Sequence, residues 1–315
     1  MNIRYQKFNF TIEAIDEVIL PYYKGSTFRG GFGSTFKKVV CALKRNDCKD
    51  CLLRQRCVYA YVFETFPPDN TEVMGMNKYQ TVPHPFVIQP PEETRQKYKP
   101  GEVLTFSLIL IGKAVDLLPY FVYTFEELGK TGIGKGRGKY KLLRVEKGDD
   151  ILYSIEEKSL RSVSSEEIYL PEIFDFNSGN SDELISLRFL TPARILYQRD
   201  LAVDLIFHIL LRSLIRRLGM LYYFHCGNEM PSWDYKRLIE EGENVVTEKK
   251  SLTWYDWERF SSRQNVRMKM GGIVGEITYK GRLGQFLPVL KAGEILHVGK
   301  GTSFGLGRYV ILNNP

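Results

Sequence analysis

The sequence predicts an α+β protein built from two similar halves, because a loop and an opening strand each occur twice. The loop Ile133-Gly-Lys-Gly-Arg-Gly-Lys-Tyr140 has a counterpart in Val298-Gly-Lys-Gly-Thr-Ser-Phe-Gly-Leu-Gly-Arg-Tyr309, and apolar strand-like residues follow both tyrosines. Residues 3–12 and 183–190 each predict a half-buried strand, the first from its alternating apolar and polar side chains. A repeat of this kind indicates two copies of one design. We place the two domains at residues 1–182 and 183–315.

The composition suits a folded protein with an anionic partner. The 315 residues are long enough for two domains, and 43% hydrophobic with 26% charged residues allow real cores. The net charge of +7 and the pI near 9.0 favour a polyanionic partner. The first residues lack the apolar core of a signal peptide, and Asp204 with three arginines interrupts the apolar run Leu201–Leu218. We therefore expect a cytoplasmic protein without a membrane span.

The first candidate binding site is an early junction between a strand and a helix. The helix is predicted to start near Ser26 or Ser34. Tyr23, Lys24 and Arg29 lie at this junction, where the free N–H groups of a helix start favour phosphate.

Four of the five cysteines lie close together, at Cys41, Cys48, Cys51 and Cys57. This spacing includes a Cys-x2-Cys pair and is typical of metal ligands in a cytosolic protein. Zinc is the simpler expectation, and an iron–sulfur cluster fits the same number of ligands. Four thiolates leave no open position for a substrate, so we expect a structural metal. The alternative is four reduced, free thiols.

The first glycine-rich loop connects a predicted helix to a predicted strand. Residues 101–110 predict a strand, 116–128 a helix and 141–145 a further strand, with an acidic, serine-rich connector at 146–183. The loop resembles a P-loop but has no Ser or Thr at position 136, and its order is helix, loop, strand. Nucleotide hydrolysis is therefore excluded. The loop offers four cations for nucleic-acid binding, which are Lys130, Lys135, Arg137 and Lys139.

The second half ends in the densest glycine run of the chain. Glycine reaches positive φ without steric cost, so such a loop can turn several N–H groups toward one anion, and nearby cations add charge. Residues 293–296 and 309–312 on either side predict short strands. The alternative is an ordinary tight connection in a β-rich domain. The residues concerned are Gly299, Gly301, Gly305 and Gly307 with the cations Lys300 and Arg308.

Aromatic and basic residues interleave upstream of this loop, in Trp254–Gln264. The pattern is typical of proteins that bind single-stranded nucleic acid, and it makes Arg259 and Arg263 candidate contacts. The alternative is a buried aromatic strand edge with an incidental ion pair.

Four histidines are available for acid–base chemistry. We expect a structural role for His84, which lies between two prolines, and a solvated position for His208 on a polar helix face. His225 follows that helix, and His297 directly precedes the final loop, where a phosphate would lie. These two are better placed for catalysis. The sequence shows no cluster of His, Asp and Glu that would hold a catalytic metal.

Several motifs together resemble the CRISPR repeat-processing endoribonucleases of the RAMP superfamily. They are Lys24–Gly30, the cysteine cluster, Pro83-His84-Pro85, Arg259–Gln264, and His297–Lys300 with Phe304–Gly307. The resemblance covers nearly the whole chain. It implies two tandem ferredoxin-like (βαββαβ, RRM-like) domains, with the cysteines as a small insertion at about residues 41–57. It also implies metal-independent cleavage of a CRISPR repeat RNA, without a cofactor for catalysis.

The implied reaction leaves a 2′,3′-cyclic phosphate and needs a base, an acid and a cation at the scissile phosphate. In much of the family a histidine in the first helix takes part, but residues 26–40 contain none. Either His297 or His225 replaces it, or Tyr23 and Lys24 act without an imidazole. We rank His297 with Lys300 first. The alternative function is a catalytically inactive, RNA-binding subunit of a CRISPR effector complex.

Overall fold

The contacts within the chain divide it into two units. The computed structural model describes residues 1–44, 47–67, 82–176, 183–227, 229–261 and 266–312. The N-terminal unit consists of Arg4–Glu167 with Phe224–Cys226, and the C-terminal unit of Met1–Ile3, Ile168–Tyr223 and Gly227–Pro315. Residues 168–176 therefore group with the second unit, although the sequence places them in the first half.

The N-terminal unit has a sheet built around its first strand. Its strands are β1 (Asn2–Ala14), β2 (Val18–Ile19), β3 (Phe86–Gln89), β4 (Lys97–Tyr98), β5 (Val103–Ile111), β6 (Tyr140–Lys147), β7 (Asp150–Ser154) and β8 (Glu166–Tyr169). The sheet order is β3-β5-β1-β6-β7, β8 also pairs with β1, and β2 and β4 form a separate ribbon. β1 is antiparallel to both β5 and β6. Because β7 and β8 lie in the predicted connector 146–183, that prediction is wrong over these strands.

Two helices cover one face of this sheet, α1 (Gly25–Val40) and α2 (Leu118–Thr131). Their phenylalanines recur at helical spacing and form the core. Phe32 of α1 stacks on Phe121 of α2 with ring centroids 4.9 Å apart. A one-turn π-helix (Ala60–Glu64) and a 3₁₀ turn (Gly112–Leu117) complete the unit.

The C-terminal unit contains a second sheet. Its strands are β9 (Glu183–Ala193), β10 (Leu196–Tyr197), β11 (Asp200–Leu201), β12 (Val246–Tyr255), β13 (Glu258–Ser261), β14 (Val266–Lys269), β15 (Gly272–Gly281) and β16 (Tyr309–Leu312). The main sheet has the order β12-β15-β9-β16, and β10–β11 and β13–β14 are separate hairpins. None of the ten residues of the edge strand β12 is buried.

The helices of this unit are α3 (Phe207–Leu221), α4 (Tyr235–Glu243) and α5 (Leu287–Leu296). A π-helical turn (Tyr222–Cys226) follows α3, and its residues Phe224–Cys226 belong to the N-terminal unit. The strand predicted at residues 293–296 is wrong, because these residues form the end of α5. Val289, Leu290 and Leu296 of α5 are buried, and this helical spacing buries one face of the segment.

The two sheets share one topology. In each, the strands that come first, second, third and fourth along the chain lie in the order second, third, first, fourth, which is β3-β5-β1-β6 and β12-β15-β9-β16. A helix follows the first strand, and another connects the third strand to the fourth. The chain is thus a mixed α/β protein of two units. Within the described residues, no helix is both long and apolar enough to cross a membrane.

Candidate nucleic-acid interface

Backbone hydrogen bonds hold the C-terminal glycine-rich loop in place. The Lys300 N–H donates to the Arg194 carbonyl at 2.8 Å, and the Gly307 N–H donates to the Pro192 carbonyl at 3.0 Å. Further amide donors bonded to protein carbonyls are those of Val298, Phe304, Gly305 and Leu306. These amides are therefore occupied, which corrects the expectation that they turn toward one anion.

The glycines of this loop are needed for backbone conformation and close approach. Gly299, Gly301, Gly305 and Gly307 all have φ between 70° and 84°, where other residues are strained. A Cβ on Gly307 would lie 1.8 Å from the Val298 carbonyl oxygen. These four glycines thus have a structural role in the loop, and their contact with RNA stays a prediction from the sequence. The cations of the loop are the further candidates. Lys300 is exposed and Arg308 is half-buried.

His297 is completely buried, at 0% relative exposure. Its ring Nδ1 lies 3.0 Å from the Leu306 carbonyl oxygen, to which it donates, and its backbone has φ 63°. The ring therefore holds the glycine-rich loop, and it does not face a substrate. This corrects the first-ranked catalytic assignment.

A buried arginine, Arg217 of α3, binds the backbone where α5 ends and the C-terminal glycine-rich loop begins. Its guanidinium donates to the carbonyls of Leu296 and His297 at 2.9–3.1 Å, where α5 ends. A cation at a helix C-terminus is favourable because the carbonyl ends carry partial negative charge. Burial lowers the pKa of Arg217 to about 9, so the group remains charged at neutral pH. The sequence offered no signal for this contact, since it joins residues about 80 positions apart.

His225 is also buried, with 2% exposure, and it belongs to the N-terminal unit. Its Nε2 lies 2.8 Å from the Pro83 carbonyl and its Nδ1 3.2 Å from the Tyr61 hydroxyl. Because a carbonyl only accepts, the proton is on Nε2 and Nδ1 accepts from Tyr61. Desolvation raises the pKa of Tyr61, which keeps that hydroxyl a donor. His225, the other catalytic candidate among the histidines, thus has a structural role.

The N-terminal glycine-rich loop is built in the same way as the C-terminal one. The Lys135 N–H donates to the carbonyl of Ile19 in β2, the strand that follows β1, at 2.9 Å. The Lys300 N–H makes a similar bond to Arg194, the residue that follows β9, the first strand of its own unit. The cations Lys130, Lys135, Arg137 and Lys139 are all exposed. Lys130 forms an ion pair with Glu127 at 2.5 Å. The charges of the other three are therefore better candidates for binding phosphate.

The tyrosines after the two loops also match. The Tyr140 hydroxyl donates to the Phe125 carbonyl of α2 at 2.9 Å, and the Tyr309 hydroxyl donates to the Leu290 carbonyl of α5 at 2.6 Å. Both tyrosines are buried. The loop repeat in the sequence therefore corresponds to a repeated contact between the strand after the loop, β6 or β16, and the helix before the loop, α2 or α5.

At the strand–helix junction, one of the three predicted phosphate contacts is buried. Lys24 is buried at 1% exposure, and its Nζ donates to the Glu93 carbonyl at 2.7 Å. Burial lowers the pKa of Lys24. Its predicted roles in RNA binding and in catalysis without imidazole are corrected, since its ammonium group is inside the unit. Tyr23 is half-buried and stays a candidate.

Arg29 of α1, a candidate phosphate contact, forms a polar cluster with His84, a pairing that the sequence does not predict. Arg29 Nη2 lies 2.7 Å from His84 Nε2, and the guanidinium lies 4.1 Å from the centroid of the Phe63 ring. His84 Nδ1 lies 3.1 Å from the Thr65 hydroxyl. Both Arg29 and His84 are half-buried. The sequence signal that could have found this cluster is Pro83-His84-Pro85, because the fixed φ of the two prolines restricts the backbone around His84.

Arg259 lies against the C-terminal glycine-rich loop. Its guanidinium is 4.6 Å from the centroid of the Phe304 ring and donates to the Met268 sulfur at 3.3 Å. Burial lowers the pKa of Arg259. Trp254 is 41% exposed, as a base-stacking ring has to be. The other predicted contact of this segment, Arg263, lies outside the described residues.

The four clustered cysteines are partly buried, and none of them is in a disulfide with another described residue. Among the described residues, no three His, Cys, Asp or Glu side chains come together as metal ligands. Cys48 and Cys57 pack against the hydrophobic core, and burial raises the pKa of Cys48. The arrangement does not support a metal site, and zinc or an iron–sulfur cluster stays a prediction from the sequence.

Two family models match the chain in tandem. Residues 3–167, more than half of the chain, match AF_1859_N, which is described as an N-terminal domain. The chain belongs to the AF_1859_N family. Residues 187–309 match the model of the CRISPR-associated endoribonuclease Cas6. The resemblance to CRISPR repeat-processing endoribonucleases is thereby confirmed as a similarity, and in the family models it lies in the C-terminal part of the chain.

Solved structures and a curated sequence are similar to this AF_1859_N-family protein over nearly its whole length. A Cas6 product complex has a TM-score of 0.54 at 16% identity and covers 98% of this chain and 100% of its own. Thermus thermophilus Cas6 has 0.51 at 15%, covering 98% and 99%. A partial Cas6-RT-Cas1–Cas2 complex has 0.57 at 13%, covering 99% of this chain and 46% of the other. These likenesses concern the fold. An uncharacterized protein of Archaeoglobus fulgidus is 26% identical over 296 residues, which are 93% of this chain and 92% of its own.

Proposed function

We propose that this protein is an endoribonuclease that cleaves CRISPR precursor RNA within its repeats to generate guide RNAs. The observation that carries the proposal is the match of residues 187–309 to the Cas6 endoribonuclease model. This range contains the C-terminal glycine-rich loop with the exposed Lys300. The reaction is attack of a ribose 2′-OH on the neighbouring phosphate, without a metal, and it leaves a 2′,3′-cyclic phosphate.

The RNA is held by cations on the two glycine-rich loops. Lys135, Arg137 and Lys300 are exposed, and none of them forms an ion pair with another described residue. Exposed lysine and arginine side chains bind phosphates and release counterions from the RNA. The partners are therefore the CRISPR repeat RNA and, after cleavage, subunits of a CRISPR effector complex. The Cas6 parts of a product complex and of a Cas6-RT-Cas1–Cas2 complex have this fold.

We further infer that both units are ferredoxin-like βαββαβ domains, with the cysteine segment as an insertion in the first. The shared strand order and the two connecting helices per unit support this assignment. We keep the domain boundary at 182/183, because β9 opens the second sheet at Glu183. Metal analysis and a visible spectrum of the purified protein test the cysteine prediction, since an iron–sulfur cluster is brown and zinc is colourless.

A second candidate function is a catalytically inactive RNA-binding subunit. The burial of His297 and His225 favours it, since neither ring presents a free nitrogen to a substrate.

Incubation of the protein with repeat RNA in EDTA separates the two functions. We expect cleavage that persists in EDTA and produces a 2′,3′-cyclic phosphate end, and we expect none when the ribose at the cleavage site lacks its 2′-OH. Tight binding without any product would instead identify the inactive subunit. A normal rate on the deoxyribose substrate would refute the mechanism.

A further inference from the structure

We infer that His84 and Arg29 form the catalytic pair for RNA cleavage, with His84 Nε2 as the base and Arg29 as the cation at the phosphate. This inference rests on the proposed function. It assigns the acid–base role to a histidine that the sequence predicts to be structural.

The hydrogen bonds around His84 fix one tautomer of its ring. An arginine only donates, so His84 Nε2 accepts from Arg29 Nη2 at 2.7 Å and carries no proton. The Thr65 hydroxyl donates its one proton to the Val82 carbonyl at 2.8 Å. It therefore accepts from His84 Nδ1–H at 3.1 Å. A neutral imidazole with its lone pair on a defined, half-buried nitrogen has the form that a general base requires.

The backbone around this histidine is constrained on both sides. Thr65 has φ 49° and ends the π-helix Ala60–Glu64. A β-branched residue at positive φ is strained, and π-helical turns and strained residues cluster at functional sites. On the other side, His225 Nε2–H donates to the carbonyl of Pro83, the residue before His84. His225 is thus a positioning residue for the peptide that carries the base.

The spacing within the pair fits one phosphodiester. In-line attack brings the 2′-oxygen to roughly 3–3.5 Å from phosphorus. The base at that oxygen and the cation at the phosphate oxygens must therefore be neighbours. Arg29 Nη2 and His84 Nε2 are 2.7 Å apart. A bound phosphate attracts the guanidinium and releases the imidazole nitrogen, while the Phe63 ring under the guanidinium keeps Arg29 in place.

The other three histidines do not offer this arrangement. His297 and His225 are buried, and their rings bond to protein groups. His208 of α3 packs edge-on against the Tyr197 ring, with centroids 5.8 Å apart.

The step balances with water as the only further reactant. His84 Nε2 takes the proton of the 2′-OH, and the 2′-oxygen forms a new bond to phosphorus. The bond from phosphorus to the 5′-oxygen breaks, its electron pair leaves with that oxygen, and the oxygen takes a proton from water. The imidazolium of His84 then returns its proton to water. The products are a 2′,3′-cyclic phosphate and a 5′-hydroxyl.

The test compares His84→Asn with wild type under single-turnover conditions, using repeat RNA in EDTA. The asparagine amide can still donate to Thr65, which preserves the local network without a base. We expect the cleavage rate to fall by about 10²–10⁴-fold, with RNA affinity unchanged. In wild type the rate should rise with pH and level off above the pKa of a histidine, and His84→Asn should lose this rise. His208→Ala is the matched control and should cleave like wild type.

Each outcome decides the inference. If wild type cleaves and His84→Asn stays within about 3-fold of it with the same pH profile, the pair is not catalytic, and the proposed function stands. If wild type does not cleave repeat RNA at all, the proposed function fails and the inference fails with it. If His84→Asn does not fold, wild type labelled with ¹⁵N-histidine is titrated with uncleavable 2′-deoxy repeat RNA. A change in the His84 Nε2 resonance supports the pair, and an unchanged resonance at saturation refutes it.

Discussion

Replacement of Gly307 by alanine should destabilise the C-terminal unit far more than the same change at Gly301. Both glycines have positive φ, 70° and 78°, so both alanines are strained in the same way. The added atoms meet different neighbours. At Gly307 the Cβ would lie 1.8 Å from the Val298 carbonyl oxygen, which is backbone. At Gly301 the nearest atom is the flexible Cδ1 of Leu306, at 2.9 Å.

The difference can be estimated from the contacts that must move. An alanine in the left-handed region costs about 1–2 kcal/mol of unfolding free energy at either position. At Gly307 the backbone must also move away from Val298. This breaks the bond from the Val298 N–H to the Gly307 carbonyl and the bond from the Gly307 N–H to the Pro192 carbonyl. Each is worth about 1 kcal/mol. We expect a loss of about 3–4 kcal/mol for Gly307→Ala and about 1–2 kcal/mol for Gly301→Ala.

Tryptophan fluorescence in urea is the suitable assay, because it reports on one unit. The three tryptophans are Trp233, Trp254 and Trp257, and all belong to the C-terminal unit. The urea midpoint and the slope m of each variant and of wild type then give the free energies of unfolding. Equal losses for the two variants would refute the reasoning, because they would mean that the loop does not pack against Val298 and Pro192.

Three further predictions concern single side chains. Tyr309→Phe should lower the unfolding free energy of the C-terminal unit by about 1–2 kcal/mol, because the Leu290 carbonyl loses a buried donor; urea unfolding measures this, and no loss would contradict the contact. Lys300→Ala should reduce the slope of log affinity for RNA against log salt concentration by about 0.7. Lys24→Met should leave that slope intact, because the Lys24 ammonium is buried. Equal slopes for both variants in a salt titration would refute the assignment. Burial raises the pKa of the Cys226 thiol to about 11, so the native state keeps a proton that the unfolded state loses above pH 9 or so. Stability of the N-terminal unit should therefore fall as the pH rises from about 9 to 11, and Cys226→Ala should lack this component in unfolding followed by circular dichroism.

Much of the architecture could be predicted because it depends on local patterns. The opening strands at 3–12 and 183–190 are found as β1 and β9. The repeated glycine-rich loops have a similar backbone bond and the same tyrosine contact in each unit. Strand periodicity and positive-φ glycines leave a direct mark on the sequence. The strand prediction for residues 293–296 is wrong because a short apolar run has no clear period. These residues end α5, whose helical pattern of buried residues shows only in the structure.

The candidate site was harder to predict, because burial decides which polar groups are available. His297 stands beside the glycine-rich loop in the sequence, but its ring is enclosed, and Arg217 from a distant helix binds its carbonyl. Lys24 lies at a helix start, where the sequence predicts an accessible cation, but its ammonium donates to a carbonyl inside the unit. His84 meets Arg29 across 55 positions of sequence. Contacts of this range follow from tertiary packing and leave no local pattern.

The open edge strand β12 has a consequence for the protein at high concentration. A long, uncovered strand offers a template on which folded copies could stack by strand pairing. In β12 the lysines Lys249 and Lys250 lie in mid-strand, and the ladder to β15 is irregular between Thr247 and Lys249. Charge repulsion and a broken register both oppose such stacking. The strand can thus stay accessible to solvent without driving the protein toward fibres.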